Sequence, residues 1–508
     1  MIATLYRLIS LGLLILLTLS ACSGVAPLVV QGQMLPGDSE PTQPAIADSP
    51  PLAVAPPTST TLPKPTNPPA ATPISSKIPA HPQGCSPASL PQSVLVYTWS
   101  ERQQENSLFP LDAITGQPLC KFEPLSLGKQ FAHAFSTGGD MLVITVSEHE
   151  DGRDHTLRWI DLKSWQMHES KIKFEKYVIS IEVSPDGQKL AISAASPQLN
   201  SYQIIIVDLA SQSVQAEMTL SFLPRLLKFT ADGSTLVVYG SADSPNNQET
   251  SDARVMLLDS STLDSRWETT LSGVMHGLIP DKEKSNSPEG FETWEPAVIY
   301  ASDQGKLYIV HADADRLTTV DLNTRTTLSA EIIPATSWIE RLLALTAGVA
   351  RAKTLDGFFK TGVLSPDGSR LYILGHTADS YQDKNGNWQI NETPYGLKVI
   401  DIATGAEVAH LDTQANELEF SEDGQNLLLR SWTGSGWTEV LDAKTLEEKI
   451  HVEKRQLYTG RRLDGQPVVL ATTYHQNGQT TLAIVDPGSF EVINQGWTTL
   501  WASWLVER

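Results

Sequence analysis

Three histidines are the side chains of this sequence best suited to chemistry. His311 and His376 each follow a short apolar stretch, in YIVHADAD and YILGHTAD, and His276 lies in a longer polar segment. Imidazoles that converge can bind a metal ion or act as bases, whereas histidines spread along a loop rim need do neither. Whether these three histidines converge depends on where the strands that carry them lie in the fold.

The stretch DKNGN is a second candidate, because Asp383, Asn385 and Asn387 offer oxygen atoms at alternate positions, as calcium loops do. An EF-hand loop has glycine at its sixth position, which is Trp388 here. An Asn-Gly hairpin turn is therefore favoured. The sequence also lacks CxxC and HxxxH zinc pairs, the CxxCH haem motif and a GxSxG nucleophile elbow. We predict no catalytic residue, no metal and no cofactor.

The N-terminus predicts export. Arg7 precedes the apolar run LISLGLLILLTLS, which is shorter than the about 20 residues of a membrane span and is typical of a secretory signal. The run ends in Leu-Ser-Ala-Cys, which resembles the bacterial lipoprotein box. The resemblance implies that residues 1–21 are removed and that Cys22 carries a lipid, which would hold the protein on the extracytoplasmic side of a cell-envelope membrane. An ordinary signal peptide is the alternative.

Cys85 and Cys120 are then the only other cysteines. Two thiols in an oxidising compartment favour a disulfide, although two unpaired, partly buried thiols would fit the sequence too.

Residues 22–84 predict a spacer. After Cys22 they contain no aromatic residue and are rich in Pro, Thr, Ser and Ala, so they cannot bury enough apolar surface to offset the entropy of ordering. The formal net charge of −21 argues against nucleic acid as a partner, because phosphate binding depends on Lys and Arg.

Two phrases recur through residues 85–508. One is a turn of the type Pro-Asp-Gly between apolar stretches, as in VSPDGQKLAIS and LSPDGSRLYIL. The other is an apolar residue, an aspartate and a polar turn, as in VIDIATGAEV. It occurs eight times, at Asp112, Asp161, Asp208, Asp259, Asp321, Asp401, Asp442 and Asp486.

Each repeat therefore predicts four antiparallel strands, A to D, with the Pro-Asp-Gly turn between A and B and the aspartate turn between C and D. Four-stranded units repeated along a chain are typical of a β-propeller. We predict a single all-β domain of eight blades, seven being the alternative, in which the apolar segment 498–506 closes the ring as strand A of the first blade.

The phrases SPDGSRLYIL and LKVIDIATGAEVAHL resemble the YVTN or YncE-like propeller repeats, within the quinoprotein amine dehydrogenase-like propellers. The resemblance covers about residues 85–508 and implies a propeller that binds or scaffolds a partner. Eight-bladed quinone dehydrogenases are related in architecture, but their adjacent cysteines and repeated tryptophans are missing here. We therefore expect no quinone.

Four insertions interrupt the repeats, and all are expected on one face of blades 4 to 6. They span 240–254, 272–295, 334–357 and 376–396. The third predicts a short amphipathic helix near Trp338. Aromatic residues are favoured interface anchors, and the insertions contain Trp294, Trp338, Tyr381, Trp388 and Tyr395. Together with His276, His311 and His376, these residues are the predicted binding set.

The sequence thus favours a lipid-anchored binding or scaffold module with a monomeric body and a protein, peptide or glycan ligand. Two alternatives remain. One is a propeller enzyme, either a lactonase-like hydrolase or an oxidoreductase. The other is an envelope-assembly lipoprotein.

Overall fold

The computed structural model describes thirteen stretches of the chain. They are residues 86–100, 105–136, 139–150, 152–196, 201–241, 252–280, 291–334, 357–382, 388–431, 436–475, 479–494, 497–500 and 502–505. The predicted signal and spacer, Cys22, Cys85, the amphipathic segment around Trp338 and the DKNGN turn lie outside them.

Eight sheets, each containing four antiparallel strands in blade order, form the eight predicted blades, and the fold is an eight-bladed β-propeller. Blades 1 to 4 contain β34 (Ala502–Leu505), β1 (Ser93–Ser100), β2 (Glu105–Asp112), β3 (Leu125–Gly128); β4 (Gln130–Phe135), β5 (Met141–Ser147), β6 (His155–Asp161), β7 (Gln166–Phe174); β8 (Tyr177–Val183), β9 (Lys189–Ala195), β10 (Tyr202–Asp208), β11 (Ser213–Leu220); and β12 (Leu223–Phe229), β13 (Thr235–Ser241), β14 (Arg254–Asp259), β15 (Ser265–Thr270).

The remaining blades follow the same order. They contain β18 (Ala297–Ala301), β19 (Lys306–Val310), β20 (Arg316–Asp321), β21 (Thr326–Glu331); β22 (Gly357–Leu364), β23 (Arg370–Gln382), β24 (Trp388–Asp401), β25 (Ala406–Leu411); β26 (Glu417–Phe420), β27 (Asn426–Ser431), β28 (Trp437–Asp442), β29 (Glu448–Glu453); and β30 (Gln456–Arg461), β31 (Pro467–Tyr474), β32 (Gln479–Val485), β33 (Trp497–Leu500). Two further strands, β16 (Gly277–Pro280) and β17 (Phe291–Glu295), lie between blades 4 and 5.

Helical structure in the described part of the chain consists of two 3-10 turns, Leu90–Gln92 and Ser302–Gln304. Neither approaches the length or apolar content that a membrane-crossing helix needs.

The core lies between the blades. Every side chain of β13 is buried, because blade 4 is packed between two neighbours. Leu236 packs in one cluster with Ile204 of blade 3, and Val237 packs in another with Leu307 of blade 5. Strand B therefore has a continuous apolar run instead of an alternating one. Strand D faces solvent in most blades, and β21 is exposed along its whole length, whereas β3 of blade 1 is partly buried.

The aspartate turns share one geometry. Asp401 Oδ1 accepts the Thr404 N–H at 2.9 Å, and each of the eight aspartates accepts at least one N–H from two or three residues further on. The fourth residue after each aspartate has a positive φ, between 51° and 68°. These eight residues are Gly116, Trp165, Gln212, Leu263, Arg325, Gly405, Leu446 and Phe490, so only two of them are glycine.

The ring closes between the last and first strands described. Leu505 of β34 pairs with Leu95 of β1, which makes β34 the innermost strand of blade 1. The segment expected to supply one closing strand, 498–506, contains two, because β33 pairs with β32 as the outer strand of blade 8. A short bridge between Val485 and Val492 occupies the place where strand D begins in other blades.

Candidate binding site on the insertion face

The propeller has two distinct faces. The A–B and C–D turns form one, called the turn face below, and the B–C loops and D–A connections form the other, the insertion face. The connection between blades 4 and 5 was expected to be a loop, but it forms the hairpin β16–β17. β17 then runs parallel to the start of β22, with Trp294 opposite Phe358. Blade 6 thereby becomes a six-stranded sheet.

The insertion within blade 6 is also ordered as strand. β23 and β24 continue past the ordinary end of the blade as one hairpin, in which Ala378 pairs with Glu392 and Gln382 pairs with Trp388. Of the other two insertions, the structure describes only the ends. The described insertions are therefore joined to blade 6 by backbone hydrogen bonds.

Trp294 packs the β16–β17 hairpin against blades 5 and 6. Its side chain is 1% exposed and packs with Phe358, at a ring-centroid distance of 5.8 Å, and with Ala312 of the blade 5 loop. The sequence pattern identified Trp294 as an interface anchor, but this side chain is buried under its own hairpin. Its contribution is to the stability of the face.

His276 lies next to this hairpin and is almost fully buried. Its Nδ1 is 3.1 Å from the Tyr239 hydroxyl, and its Nε2 is 3.8 Å from Glu295 Oε1. Burial, with a further effect from the Arg225 cation, holds the pKa of His276 well below its usual 6.5. The imidazole is neutral at pH 7 and connects strand B of blade 4 to β17.

His311 and His376 occupy separate environments. His311 Nε2 is 2.7 Å from the Thr318 hydroxyl, and burial lowers the pKa of this histidine to about 4. His376 stacks on Phe359 with ring centroids 4.6 Å apart and an interplanar angle of 5°. Burial lowers the pKa of His376, and Glu392 partly opposes that shift. Within the described residues, the three histidines do not bring three ligand atoms within 4.8 Å of one another.

Lys360 links blades 5 and 6, a role that the sequence pattern did not indicate. Its ammonium group donates to the carbonyls of His311, at 2.6 Å, and Ala314, at 2.8 Å. Asp315 is 3.9 Å away and also receives Lys398 at 2.8 Å. Burial is the main cause that lowers the pKa of Lys360 to about 8. A single lysine within the apolar strand GFFKTGVL was the only sequence signal of this link.

The remaining aromatic candidates divide between surface and undescribed positions. Tyr395 is 37% exposed on β24. Trp338 lies outside the described residues, and for Tyr381 and Trp388 the structure describes only the paired backbone. Asp383, Asn385 and Asn387 also lie outside.

Cys120 is disulfide-bonded, and the backbone beside it is joined to the segment that follows Cys85. The Cys120 N–H donates to the Ser86 carbonyl at 2.9 Å, and the Ser86 N–H donates to the Pro118 carbonyl at 2.8 Å. Since Cys85 itself is not described, its pairing with Cys120 stays a prediction.

One group within the described residues has the spacing for a metal ion. Glu439, Glu448 and His451 in blade 7 each offer a ligand atom, and these atoms lie within 4.8 Å of one another. The sequence motifs sought for metals did not include this group, because its residues come from two strands.

The architecture defines the class of protein as an eight-bladed β-propeller. No protein-family model matches the sequence, and no curated protein matches it either.

Solved structures resemble the fold. They include dihydro-heme d1 dehydrogenase NirN in complex with DHE, with a TM-score of 0.52 and 12% identity over 84% of this chain and 77% of that chain. Hydrazine synthase from Kuenenia stuttgartiensis has a TM-score of 0.38 and 13% identity, covering 70% of this chain and 95% of its own. The Cps50 (Swd1) β-propeller domain of Myceliophteria thermophila has a TM-score of 0.38 and 14% identity, and the match covers 68% of this chain and 93% of that domain. At this identity, the likeness to NirN supports the propeller fold alone.

Proposed function

We propose that the chain is a lipid-anchored, extracytoplasmic binding module of the YVTN-like type, which contacts a protein, peptide or glycan through the insertion face of blades 4 to 6. The parallel pairing of β17 with β22 is the observation that carries the proposal. An insertion built into a sheet presents its outer residues in a fixed geometry, which lowers the entropy cost of binding.

The environments of the histidines favour binding over catalysis at this face. His276 and His311 are buried and already contact Tyr239 and Thr318. A general base must reach a proton of the substrate within hydrogen-bond distance. Side chains enclosed in this way stabilise the face, whereas Glu392 and Tyr395, at the base of the β23–β24 hairpin, are exposed and open to a partner.

The test removes the hairpin tip at a register position that the structure defines. Residues 379–391 are replaced by Asn-Gly, which joins the paired residues Ala378 and Glu392 by a two-residue turn. The matched control replaces residues 196–201 by Asn-Gly between the paired residues Ala195 and Tyr202 of blade 3, on the same face.

Full-length variants are compared by quantitative crosslinking in the native envelope. We expect the blade 6 variant to lose a crosslinked partner and the blade 3 variant to keep it, with equal melting temperatures. Partners that persist in the blade 6 variant would overturn the assignment of the face. Anchoring is tested separately, since Cys22→Ser should abolish incorporation of a labelled fatty acid.

A further inference from the structure

We propose that blade 7 carries a site for a divalent transition-metal ion, formed by Glu439, Glu448 and His451. It lies on strands β28 and β29 of blade 7, whereas the four insertions belong to blades 4 to 6. One imidazole nitrogen and two carboxylate oxygens are ligands that Zn²⁺ accepts. Three protein ligands leave at least one coordination position for water or an external ligand.

A β-bulge brings the three side chains to one surface of the blade. Glu439 pairs directly with His451 across the two strands. The register then shifts between Val440 and Leu441, so that Leu441 opposes Glu448 and Lys449 is the extra residue. Without the shift, alternation would place Glu448 on the surface opposite to His451. The same shift occurs beside the C–D turn in blades 3, 4 and 6, so blade 7 differs in the residue types that the bulge brings together.

The imidazole is held with one nitrogen directed toward the two glutamates. Nε2 of His451 lies 3.1 Å from Glu453 Oε1, and a carboxylate can only accept, so Nε2 carries the hydrogen. In the neutral ring with its hydrogen on Nε2, Nδ1 keeps its lone pair, and it lies 3.5 Å from Glu439 Oε1. Bonds of 2.0–2.2 Å at tetrahedral angles separate two ligand atoms by about 3.4 Å. The 3.5 Å between His451 Nδ1 and Glu439 Oε1 is close to this distance between two ligand atoms.

Two neighbours keep the ring in this orientation. The Trp437 ring stacks on the His451 ring with centroids 5.6 Å apart and an interplanar angle of 29°. Glu453 supplies the carboxylate that metal-ligating histidines commonly contact through their second nitrogen, which fixes the tautomer and raises the basicity of the ligand.

The charges of the group also favour a cation. Glu439 and Glu448 each place a carboxylate oxygen within 4.8 Å of the other and of a ring nitrogen of His451. Two carboxylates held close together without an intervening cation repel each other, and a bound divalent ion would remove that repulsion.

His410 shows why carboxylates near a histidine do not by themselves make a site. Its Nδ1 lies 3.5 Å from Glu407 and its Nε2 lies 3.3 Å from Asp412. The two carboxylates flank opposite nitrogens, so no single ion can contact both together with the ring. His410→Gln is therefore a matched control, with the same substitution and a similar exposure.

The experiment titrates Co²⁺ and Zn²⁺ into the full chain at pH 7. We expect one Co²⁺ per chain, with visible absorption bands of a low-coordinate site, displaced by Zn²⁺. His451→Gln and Glu448→Gln should each weaken binding at least 10-fold, whereas His410→Gln should leave it unchanged. Glu453→Gln should weaken binding several-fold while the stoichiometry is kept.

Three results would overturn the site. They are no saturable binding by the wild-type chain, equal binding by His451→Gln and wild type, and equal loss in the His410→Gln control. Melting curves without metal check that each variant is folded, and Glu448→Gln keeps the shape of the side chain if His451→Gln does not fold.

Discussion

On the turn face, aspartates accept hydrogen bonds from their own turns, whereas on the insertion face, histidines are buried between separate elements. Asp401 accepts hydrogen bonds from the N–H and the hydroxyl of Thr404, three residues further on, and these bonds lower its pKa. His276 joins β13 to the β16–β17 hairpin, and burial lowers its pKa. A repeated turn that satisfies itself can be copied eight times, but a contact between distant segments depends on one particular insertion.

The largest expected effect is on the insertion face. Trp294→Ala should lower the free energy of unfolding by about 3–5 kcal/mol, because it empties a fully enclosed aromatic site. Urea unfolding measures the loss, and hydrogen exchange at 291–295 should report detachment of the hairpin. Tyr395→Ala, at an exposed site of the same sheet, is the control and should cost less than about 1 kcal/mol. Equal losses for the two variants would contradict the anchoring role of Trp294.

Acid should affect the two faces in different pH ranges. Burial lowers the pKa of His311 to about 4, and the Arg266 hydrogen bond, with two backbone N–H groups, lowers that of Asp259 to about 2. Both pKa values are lower in the folded state than in the unfolded state, so the unfolded chain binds more protons. The free energy of unfolding therefore falls as the pH is lowered.

The histidine contribution is complete above pH 6.5 and is lost toward pH 4, at up to about 1.4 kcal/mol per pH unit. The aspartate contribution is complete above about pH 4 and is lost toward pH 2. Urea unfolding across pH should show both ranges. His311→Gln should reduce the slope of the upper range, to which His276 and His376 also contribute, and Asp259→Asn should reduce that of the lower range, which it shares with turn aspartates such as Asp401. An unchanged upper slope in His311→Gln would show that burial of this imidazole does not control it.

The smallest expected effect lies at the left-handed position of the turn face. Gln212 is exposed with a φ of 51°, so Gln212→Gly should raise stability by about 0.5 kcal/mol, by removing side-chain strain at a small entropic cost. At Leu263, which is 4% exposed, the same change should lower stability by about 2–5 kcal/mol, because it also removes core packing. Matched thermal melts distinguish the two. A loss at Gln212 would mean that its side chain stabilises the turn.

The repeat was visible in the sequence because turns depend on local chemistry. The aspartate and its polar neighbours predicted the C–D turn in all eight blades. Six of the eight turns have a residue other than glycine at the left-handed position, and at Leu263 and Phe490 the side chain packs into the core, which offsets the backbone strain.

The candidate site was only partly predictable. The insertions could be assigned to one face, since the order of strands fixes where each loop emerges. The parallel pairing of Trp294 with Phe358 could not be predicted, because the two residues are far apart in the chain and no pattern specifies non-local strand pairing. The Glu439–His451 pair depended on register, and the convergence of Glu448 depended on a one-residue bulge.

The closure of the ring has a consequence for biosynthesis. Blade 1 needs β34, which comes after seven further blades in the sequence. Four residue pairs, from Leu95–Leu505 to Thr98–Ala502, join β34 to β1. A chain emerging from a ribosome can complete blades 2 to 7 in order, but β1 has an unpaired edge until β34 arrives. During that interval, the same edge can accept β34 from another molecule, so the rate of synthesis and the local chain density influence whether rings close singly or exchange strands.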